Sequence, residues 1–320
     1  PWTHDIVSIS VRHRAEYAVV AAVSGVVRRL PQSLALRVGD AIGLAFHAID
    51  RPHRLLARAN LAGSFPHKPP DEIRRIARGV FRHFGRLLIE LLRFHGLSNA
   101  QKLALVEFDG IERAVAATAA GKGALFITGH FGFWELQAIA HAMKQPPIAV
   151  VARALDNPLL HALVEQVRGS TGNYVIYRQG GARRILRALQ QNHGVAVLID
   201  QHISGADAVN VEFFNRPAAT TSAVAALALR TGAPVIPVFA LPLPDGRYRM
   251  IYEHPVEPPD PTHPDAIREF TQRCTDVLEM YVRRYPDLWL WMHRRWRDVP
   301  RAAEGMFPHA QPDDTPIEES

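Results

Sequence analysis

The chain has 320 residues, 48% of them hydrophobic and 21% charged, a composition that excludes a disordered protein and provides a large core. Its net charge of +6 comes mostly from arginine, since only four of 37 basic residues are lysines. Arginine binds phosphate and carboxylate bidentately, so nucleic acid, an anionic membrane and an acidic carrier protein are all possible partners. The single cysteine, Cys274, excludes an internal disulfide and a cysteine-based zinc site.

The amino-terminal part of the chain is predicted to be helical. Residues 10–60 have apolar residues at helical spacing and few helix breakers. Two apolar segments flanked or interrupted by arginine, at 17–27 and 34–49, fall short of the ~20 apolar residues that span a bilayer. They are either core helices or helices that lie in a membrane interface. The chain begins with Pro1 rather than Met, which is compatible with a missing upstream segment.

From residue 124 onward, short apolar strands alternate with helices. We predict strands at 124–129, 147–152, 174–177, 195–200, 234–241 and 246–256, and helices at 133–143, 157–169, 181–192, 221–231 and 263–284. This alternation predicts an α/β fold with a mostly parallel central sheet flanked by helices. We divide the chain into a helical, membrane-associating segment at 1–60, an α/β domain at 61–300 and a flexible tail at 301–320.

The segment LFITGHFGFWE at 125–135 contains the first candidate catalytic residues. His130 lies just beyond the carboxyl end of a predicted strand, the edge where open α/β sheets bind ligands. If Glu135 lies in the first helical turn, its carboxylate can accept the Nδ1–H of His130 and leave Nε2 as a general base for acyl transfer to a hydroxyl. The alternative is a loop histidine without chemistry and an acid that the helix dipole favours.

Other polar residues follow the ends of the neighbouring predicted strands. Arg153 either holds a phosphate or is an ordinary surface arginine. Asp200 and Gln201 lie at the same edge, where Asp200 either binds sugar hydroxyls, supports the catalytic pair or forms a turn. Arg178 precedes a helix whose amino terminus could hold an anion.

Three further patterns in the sequence bear on its fold and function. Asn157, followed by proline, is predicted to be a helix N-cap. In WLWMHRRW at 289–296, Trp289 and Trp291 are predicted to pack in the core, the alternative being contact with a membrane interface. There is no G-x-S-x-G elbow, P-loop or H-E-x-x-H sequence, so a serine hydrolase, a P-loop enzyme and a zinc protease are not indicated.

Seven segments, in order along the chain, resemble a known family. They are RAEYAVVAAVSGVVRRLP, RANLAGSFP, GHFGFWE, ARALDNPLLHALVEQVRGSTG, YRQGGARRILRALQQNHGVAVLIDQ, VEFFNRPAATTSAVAALALRTGAPVIPVF and WLWMHRRW. They resemble blocks of the bacterial lipid A biosynthesis acyltransferases, the late acyltransferases, within the wider superfamily of lysophospholipid and glycerolipid acyltransferases. Seven blocks in order are far more specific than any one of them.

The resemblance implies an enzyme on the cytoplasmic face of the inner membrane. It would transfer an acyl chain from acyl carrier protein or acyl-CoA to a hydroxyl of a lipid A precursor, with His130 as base and Glu135 as its orienting carboxylate. Neither a metal nor a redox cofactor is expected beside the thioester. We expect a monomer that is held on the membrane surface by residues near 10–50 and does not bind nucleic acid.

Two alternatives to acyl transfer onto a lipid A precursor remain, namely another glycolipid as acceptor and a protein that binds nucleic acid. The same motif frame, usually with Asp in place of Glu, occurs in glycerolipid and phosphatidylinositol mannoside acyltransferases. FFNRPAATT at 213–221 replaces the E-G-T-R block of the glycerolipid enzymes, which argues against lysophosphatidate but leaves another glycolipid open. A basic nucleic-acid-binding protein would require clustered cations on a recognisable module, whereas these arginines are scattered.

Overall fold

A group of helices precedes the sheet in the computed structural model, which describes residues 10–94, 96–177 and 180–297. The helices are α1 (Val11–Val27), α2 (Gln32–Ile49), α3 (Arg51–Ser64), α4 (Pro70–Phe94) and the short α5 (Asn99–Ala104). The prediction that residues 10–60 are helical is confirmed. Among the described residues, no helix combines the length and apolar character that crossing a membrane requires.

Helices α2 and α4 pack backbone against backbone because glycines line their contact. A Cβ atom on Gly43 would lie 2.1 Å from the carbonyl oxygen of Phe81, and one on Gly85 would lie 2.2 Å from that of Gly39. Such distances are impossible for real side chains, so larger residues would separate the helices. The buried face of α4 joins the main core, and α2 is thereby attached to the body of the protein.

Strands and helices then alternate as the sequence predicts. The strands are β1 (Val106–Asp109), β2 (Ala124–Thr128), β3 (Ala149–Ala152), β4 (Tyr174–Tyr177), β5 (Gly194–Leu198), β6 (Ala208–Glu212), β7 (Pro217–Thr221), β8 (Val235–Pro242) and β9 (Tyr248–Tyr252). The helices are α6 (Ile111–Ala119), α7 (Trp134–Ala142), α8 (Pro158–Gly169), α9 (Gly181–Gln190), α10 (Ala223–Thr231) and α11 (Ala266–Arg284), followed by a 3-10 turn at Pro286–Leu288.

Seven strands form the central sheet in the order β1-β9-β8-β2-β5-β3-β4. The five strands from β8 to β4 run parallel, whereas β9 is antiparallel to β8 and β1 is parallel to β9. The predicted α/β fold with a mostly parallel sheet and an amino-terminal helical region is confirmed. β1 and the separate β6–β7 hairpin were not predicted, because β1 (VEFD) has two acids among its four residues and β7 (PAATT) lacks large apolar residues.

The sheet is covered on both faces, and β2 lies near its centre. Leu125 and Ile127 belong to one core cluster, with side chains from α9, α10 and α11. Phe126, between them, belongs to a second cluster with side chains from α6 and α7. All five residues of β2 are buried, so the chain beyond its carboxyl end starts from a rigid support.

Candidate active site

His130 lies in the loop at residues 129–133 that joins β2 to α7, called the His130 loop below. Gly132 in this loop has φ +57°, and a Cβ atom there would lie 2.1 Å from the carbonyl oxygen of Ala240. Gly129 allows a second close approach, since a Cβ atom on it would lie 2.9 Å from a carboxylate oxygen of Asp200. Both glycines are therefore needed for the loop to turn sharply beside Asp200.

Asp200 lies next to His130 because of the register of the sheet. β2 and β5 pair in parallel with Thr128 opposite Leu198, so His130 and Asp200 each follow their strand's last paired residue by two positions. The carboxylate Oδ1 of Asp200 is 2.9 Å from Nδ1 of His130. Its Oδ2 accepts hydrogen bonds from the His130 backbone N–H at 2.6 Å and from the indole N–H of Trp289 at 2.8 Å.

The surroundings of Asp200 keep its carboxylate ionised. Burial alone would raise the pKa of Asp200, but the charge of His130 and the hydrogen bonds from it lower that pKa far below the usual range. An ionised carboxylate can only accept hydrogen bonds, so Nδ1 of neutral His130 carries the proton. Nε2 is then the basic nitrogen of the ring.

The pKa of His130 is raised above 6.5. Burial opposes this shift, whereas the charge of Asp200, its hydrogen bond and the charge of Glu135 produce it, and Arg168 opposes it weakly. The imidazolium form is thus stabilised in the free protein. This is the form that a general base reaches after it has taken a proton from a hydroxyl.

Glu135 lies in the first turn of α7, as predicted, but it does not hold Nδ1 of His130. Its two carboxylate oxygens accept from Nε and Nη2 of Arg168, on α8, at 2.9 and 2.5 Å. The predicted contact between Glu135 and Nδ1 is therefore corrected to one between Asp200 and Nδ1. Because Glu135 is committed to Arg168, its charge acts on His130 only through space. Its participation in the reaction stays a prediction.

Of the interpretations of Asp200, the geometry favours support of the catalytic pair. Asp200 is 1% exposed, and its oxygens already accept from His130 and Trp289. Substrate binding through this carboxylate, which the sequence suggested, is therefore corrected, because a sugar hydroxyl would find neither access nor a free oxygen.

The other predicted substrate-binding residues do not join the His130–Asp200 pair. Arg153 follows β3 at the expected edge, but its side chain is 78% exposed and lies 3.4 Å from Asp156. Gln201 has an exposed side chain next to Asp200. Arg178 lies outside the described residues. Their roles in substrate binding remain predictions.

Two structural predictions near the site are confirmed. Asn157 caps α8 by accepting from the backbone N–H groups of Leu159 and Leu160. Its amide also donates to α1, at the carbonyl oxygen of His13 and the carboxylate of Glu16. Trp289 and Trp291 are wholly buried, which confirms that they pack in the core.

Sequence reasoning missed Arg168 and the contact of Trp289 with Asp200. Nothing in the sequence distinguishes Arg168 from the other arginines of this chain. The signal for Trp289 was weak but real, since a buried tryptophan usually finds an acceptor for its N–H and Asp200 was the acid predicted at the same edge.

A cavity of about 240 Å³ lies beside the His130 loop. Its lining includes Phe133 of that loop, Tyr248 of β9 and three arginines, Arg82, Arg86 and Arg247. The arginines are already paired, the first two with Asp40 and the third with Asp245 and Glu107. The cavity is therefore no simple anion site, although it lies close to the proposed base.

A partly buried histidine that an aspartate orients, at the carboxyl edge of an α/β sheet, is an arrangement suited to general-base catalysis. Comparison with known proteins identifies the reaction class. A family model described as "Bacterial lipid A biosynthesis acyltransferase" matches residues 6–298. The chain belongs to this family and is an O-acyltransferase.

Several characterised relatives align over most of the chain. A lipid A biosynthesis lauroyltransferase of Escherichia coli is 27% identical over 88% of this chain and 91% of its own length. A phosphatidylinositol mannoside acyltransferase of Mycolicibacterium smegmatis is 24% identical over 84% and 88%, respectively. A lipid A biosynthesis acyltransferase of Haemophilus influenzae is 27% identical over 85% and 86%.

Proposed function

We propose that this enzyme transfers a fatty acyl chain from a thioester to a hydroxyl group of a lipid A precursor, with His130 as general base. The observation that carries the proposal is the buried Asp200 carboxylate 2.9 Å from Nδ1 of His130, which leaves Nε2 as the basic nitrogen. Membership of the family supports acyl transfer, and the names of the E. coli and H. influenzae relatives support the acceptor.

The proposed reaction is a direct transfer without an acyl-enzyme. Nε2 of His130 accepts the proton of the acceptor hydroxyl while the hydroxyl oxygen attacks the carbonyl carbon of the thioester. The new C–O bond forms, the C–S bond breaks, and the imidazolium returns its proton to the leaving sulfur. Asp200 stabilises the imidazolium between these two steps. The reaction is neither an oxidation nor a reduction, and we propose no cofactor beside the thioester co-substrate.

The donor we propose is acyl carrier protein or acyl-CoA. Both are acidic, and arginines with exposed side chains follow the strand ends at the same edge as His130. They include Arg153 after β3 and Arg183 near the start of α9. Such exposed cations accelerate encounter with an acidic partner. We propose that the enzyme acts as a monomer with either donor, without nucleic acid.

We propose that the reaction takes place at the cytoplasmic face of the inner membrane, and that α1 and α2 touch this membrane. Val11, Val19, Phe46 and Ile49 expose between 59% and 84% of their surface. Exposed arginines accompany these apolar side chains, among them Arg28 and Arg29 in the turn between the two helices. Apolar side chains beside cations suit a helix that lies in an anionic membrane interface.

A second acceptor, a phosphatidylinositol mannoside, is favoured by one specific observation. The M. smegmatis relative named for that acceptor is 24% identical to this chain, close to the 27% of the E. coli lauroyltransferase. The two acceptors share a sugar hydroxyl, so the same base would serve both. The family gives no support to the nucleic-acid interpretation.

The function is tested by mixing purified enzyme with acyl carrier protein or CoA thioesters and either acceptor in detergent, and analysing the lipids by mass spectrometry. We expect a lipid A precursor to gain one acyl mass with wild type and not with His130→Ala. A matched control is His53→Ala, since His53 also contacts an aspartate, Asp50, at 2.8 Å, but on the surface of the protein.

The outcomes separate the parts of the proposal. Acylation of only the mannoside would replace the acceptor, and equal acylation by wild type and His130→Ala would exclude His130 as base.

Membrane contact is tested by flotation with vesicles of phosphatidylethanolamine and phosphatidylglycerol. Ile49→Asp should weaken flotation, whereas Ile267→Asp, at an exposed isoleucine of α11, should not, and equal flotation of both would exclude α2 as the contact.

A further inference from the structure

The segment that follows the 3-10 turn, residues 288–293, contacts both members of the His130–Asp200 pair. The backbone N–H of Leu290 donates to the carbonyl oxygen of His130 at 3.1 Å, and the N–H of Gly132 donates to that of Leu288 at 3.0 Å. His293 Nε2 lies 3.1 Å from the carbonyl oxygen of Asp200. This segment therefore connects the end of β2 with the end of β5.

Within this segment, Trp289 makes the one side-chain contact to the Asp200 carboxylate. Its indole N–H donates to Oδ2 at 2.8 Å, and the His130 backbone N–H donates to the same oxygen at 2.6 Å. With Oδ2 held by these two donors, Oδ1 faces Nδ1 of His130. Without the indole, the hydrogen bonds to the carboxylate from the described residues would all come from His130 itself.

The two neighbouring tryptophans of this core donate their indole N–H groups to backbone carbonyl oxygens, unlike Trp289. Trp291 donates to the carbonyl oxygen of Pro286 at 2.6 Å, and Trp296 donates to that of Phe213 at 3.2 Å. All three rings pack together in one core. Among these three, only Trp289 donates to an ionised side chain.

We infer that Trp289 is a positioning residue, whose indole N–H fixes the Asp200 carboxylate in the orientation that presents Oδ1 to His130. The inference rests on the proposed function, in which His130 is the base. Trp289 is wholly buried, and its indole N–H donates to Asp200 rather than to His130, so this N–H acts on His130 through Asp200. A tryptophan that only filled the core would not influence the titration of His130.

The titration of His130 depends on the charged groups that face it from the described part of the chain. These are Asp200 after β5, Glu135 on α7, Arg168 on α8 and His293 in the carboxyl-terminal segment. Loss of the indole N–H leaves the other three unchanged. If the carboxylate then rotates away from Nδ1, its attraction for the imidazolium weakens and the pKa of His130 falls towards 6.5.

The test compares Trp289→Phe with Trp291→Phe, which removes an equally buried indole from the same cluster. The first readout is an NMR titration of histidine-labelled enzyme, with the His130 signal assigned by its loss in His130→Ala among the 16 histidines. The second is kcat and KM for acyl transfer. We expect Trp289→Phe to lower the pKa of His130 and to reduce kcat about 10- to 100-fold with KM nearly unchanged, the size of one lost hydrogen bond to a charged group.

Trp291→Phe should leave the titration of His130 as in wild type. The inference is overturned if Trp289→Phe titrates like wild type, if the pKa of His130 rises, or if both variants lower it equally. If Trp289→Phe does not fold, benzothienylalanine at position 289 replaces the N–H with sulfur in a ring of the same shape and gives the same expectations. A lower pKa in an enzyme whose wild type transfers no acyl group would reject the proposed function and retain the role of Trp289.

Discussion

Replacement of Asp200 by asparagine changes one atom of the carboxylate, and the structure predicts which way the new amide turns. Two donors, the His130 backbone N–H and the Trp289 indole, point at Oδ2, so the amide oxygen must take that position. The amide NH2 then faces Nδ1 of His130. Because Nδ1 must now accept, the proton moves to Nε2, and the nitrogen that should act as base is blocked.

The expected magnitude follows from this wrong tautomer. General-base catalysis contributes roughly 10²–10⁴-fold, and a histidine held in the wrong tautomer by such an amide loses about 10⁴-fold in kcat. We expect Asp200→Asn to reduce kcat within this range with a nearly unchanged KM, since Asp200 is buried away from substrate. Single-turnover acyl transfer, followed by mass spectrometry of the lipid product, measures the chemical step directly.

The control for this prediction is Asp276→Asn, the same change at an exposed position of α11, which should retain full activity. Retention of more than a tenth of the wild-type kcat by Asp200→Asn would refute the reasoning. So would a larger loss in Glu135→Gln, because Glu135 would then be the carboxylate that orients His130.

Three other predictions follow from the same site and its supports. The kcat/KM of wild type should rise with pH as His130 loses its proton, with a midpoint above 6.5. Glu135→Gln should lower this midpoint, because the charge of Glu135 helps to raise the pKa of His130. An unchanged midpoint in Glu135→Gln would contradict this. Gly132→Ala should lower the melting temperature and the activity together, because the new Cβ would meet the carbonyl oxygen of Ala240 at φ +57°, and a melting curve like that of wild type would show that the loop adapts. Asn157→Ala should lower the free energy of unfolding by about 1 kcal/mol, because the cap of α8 is lost. It should also speed hydrogen exchange in α1, to which Asn157 donates two hydrogen bonds. Unchanged exchange would mean that other contacts hold α1.

The parts of the fold that could be predicted are those in which local pattern and tertiary structure agree. The buried run at 124–128 and the helices around it have clear periodicity, so the parallel sheet and the position of His130 at its edge followed. β1 and the β6–β7 hairpin were not predicted, because two acids interrupt the four residues of β1 and β7 consists of small residues. The order of the strands is a tertiary property that no local pattern contains.

The partner of His130 was predicted incorrectly for a related reason. Glu135 is five residues from His130 in the sequence, whereas Asp200 is 70 residues away. The pairing of Thr128 with Leu198 decides which carboxylate reaches Nδ1, and this register was unknown from the sequence. Arg168, which binds Glu135, lies in the last turn of α8. Its contact with α7 depends on how the two helices pack, so it could not be predicted from the sequence either.

The contacts of residues 288–293 also set the order in which the site can assemble during synthesis. A ribosome makes His130 first, Asp200 70 residues later, and Trp289 another 89 residues after that. When His130 and Asp200 have left the ribosome, residues 289 and 290 have not yet been made. The nascent chain then lacks the Trp289 indole N–H that binds Oδ2 and the Leu290 N–H that binds the His130 loop. The hydrogen bonds around the carboxylate are therefore completed only after nearly all of the described chain has left the exit tunnel.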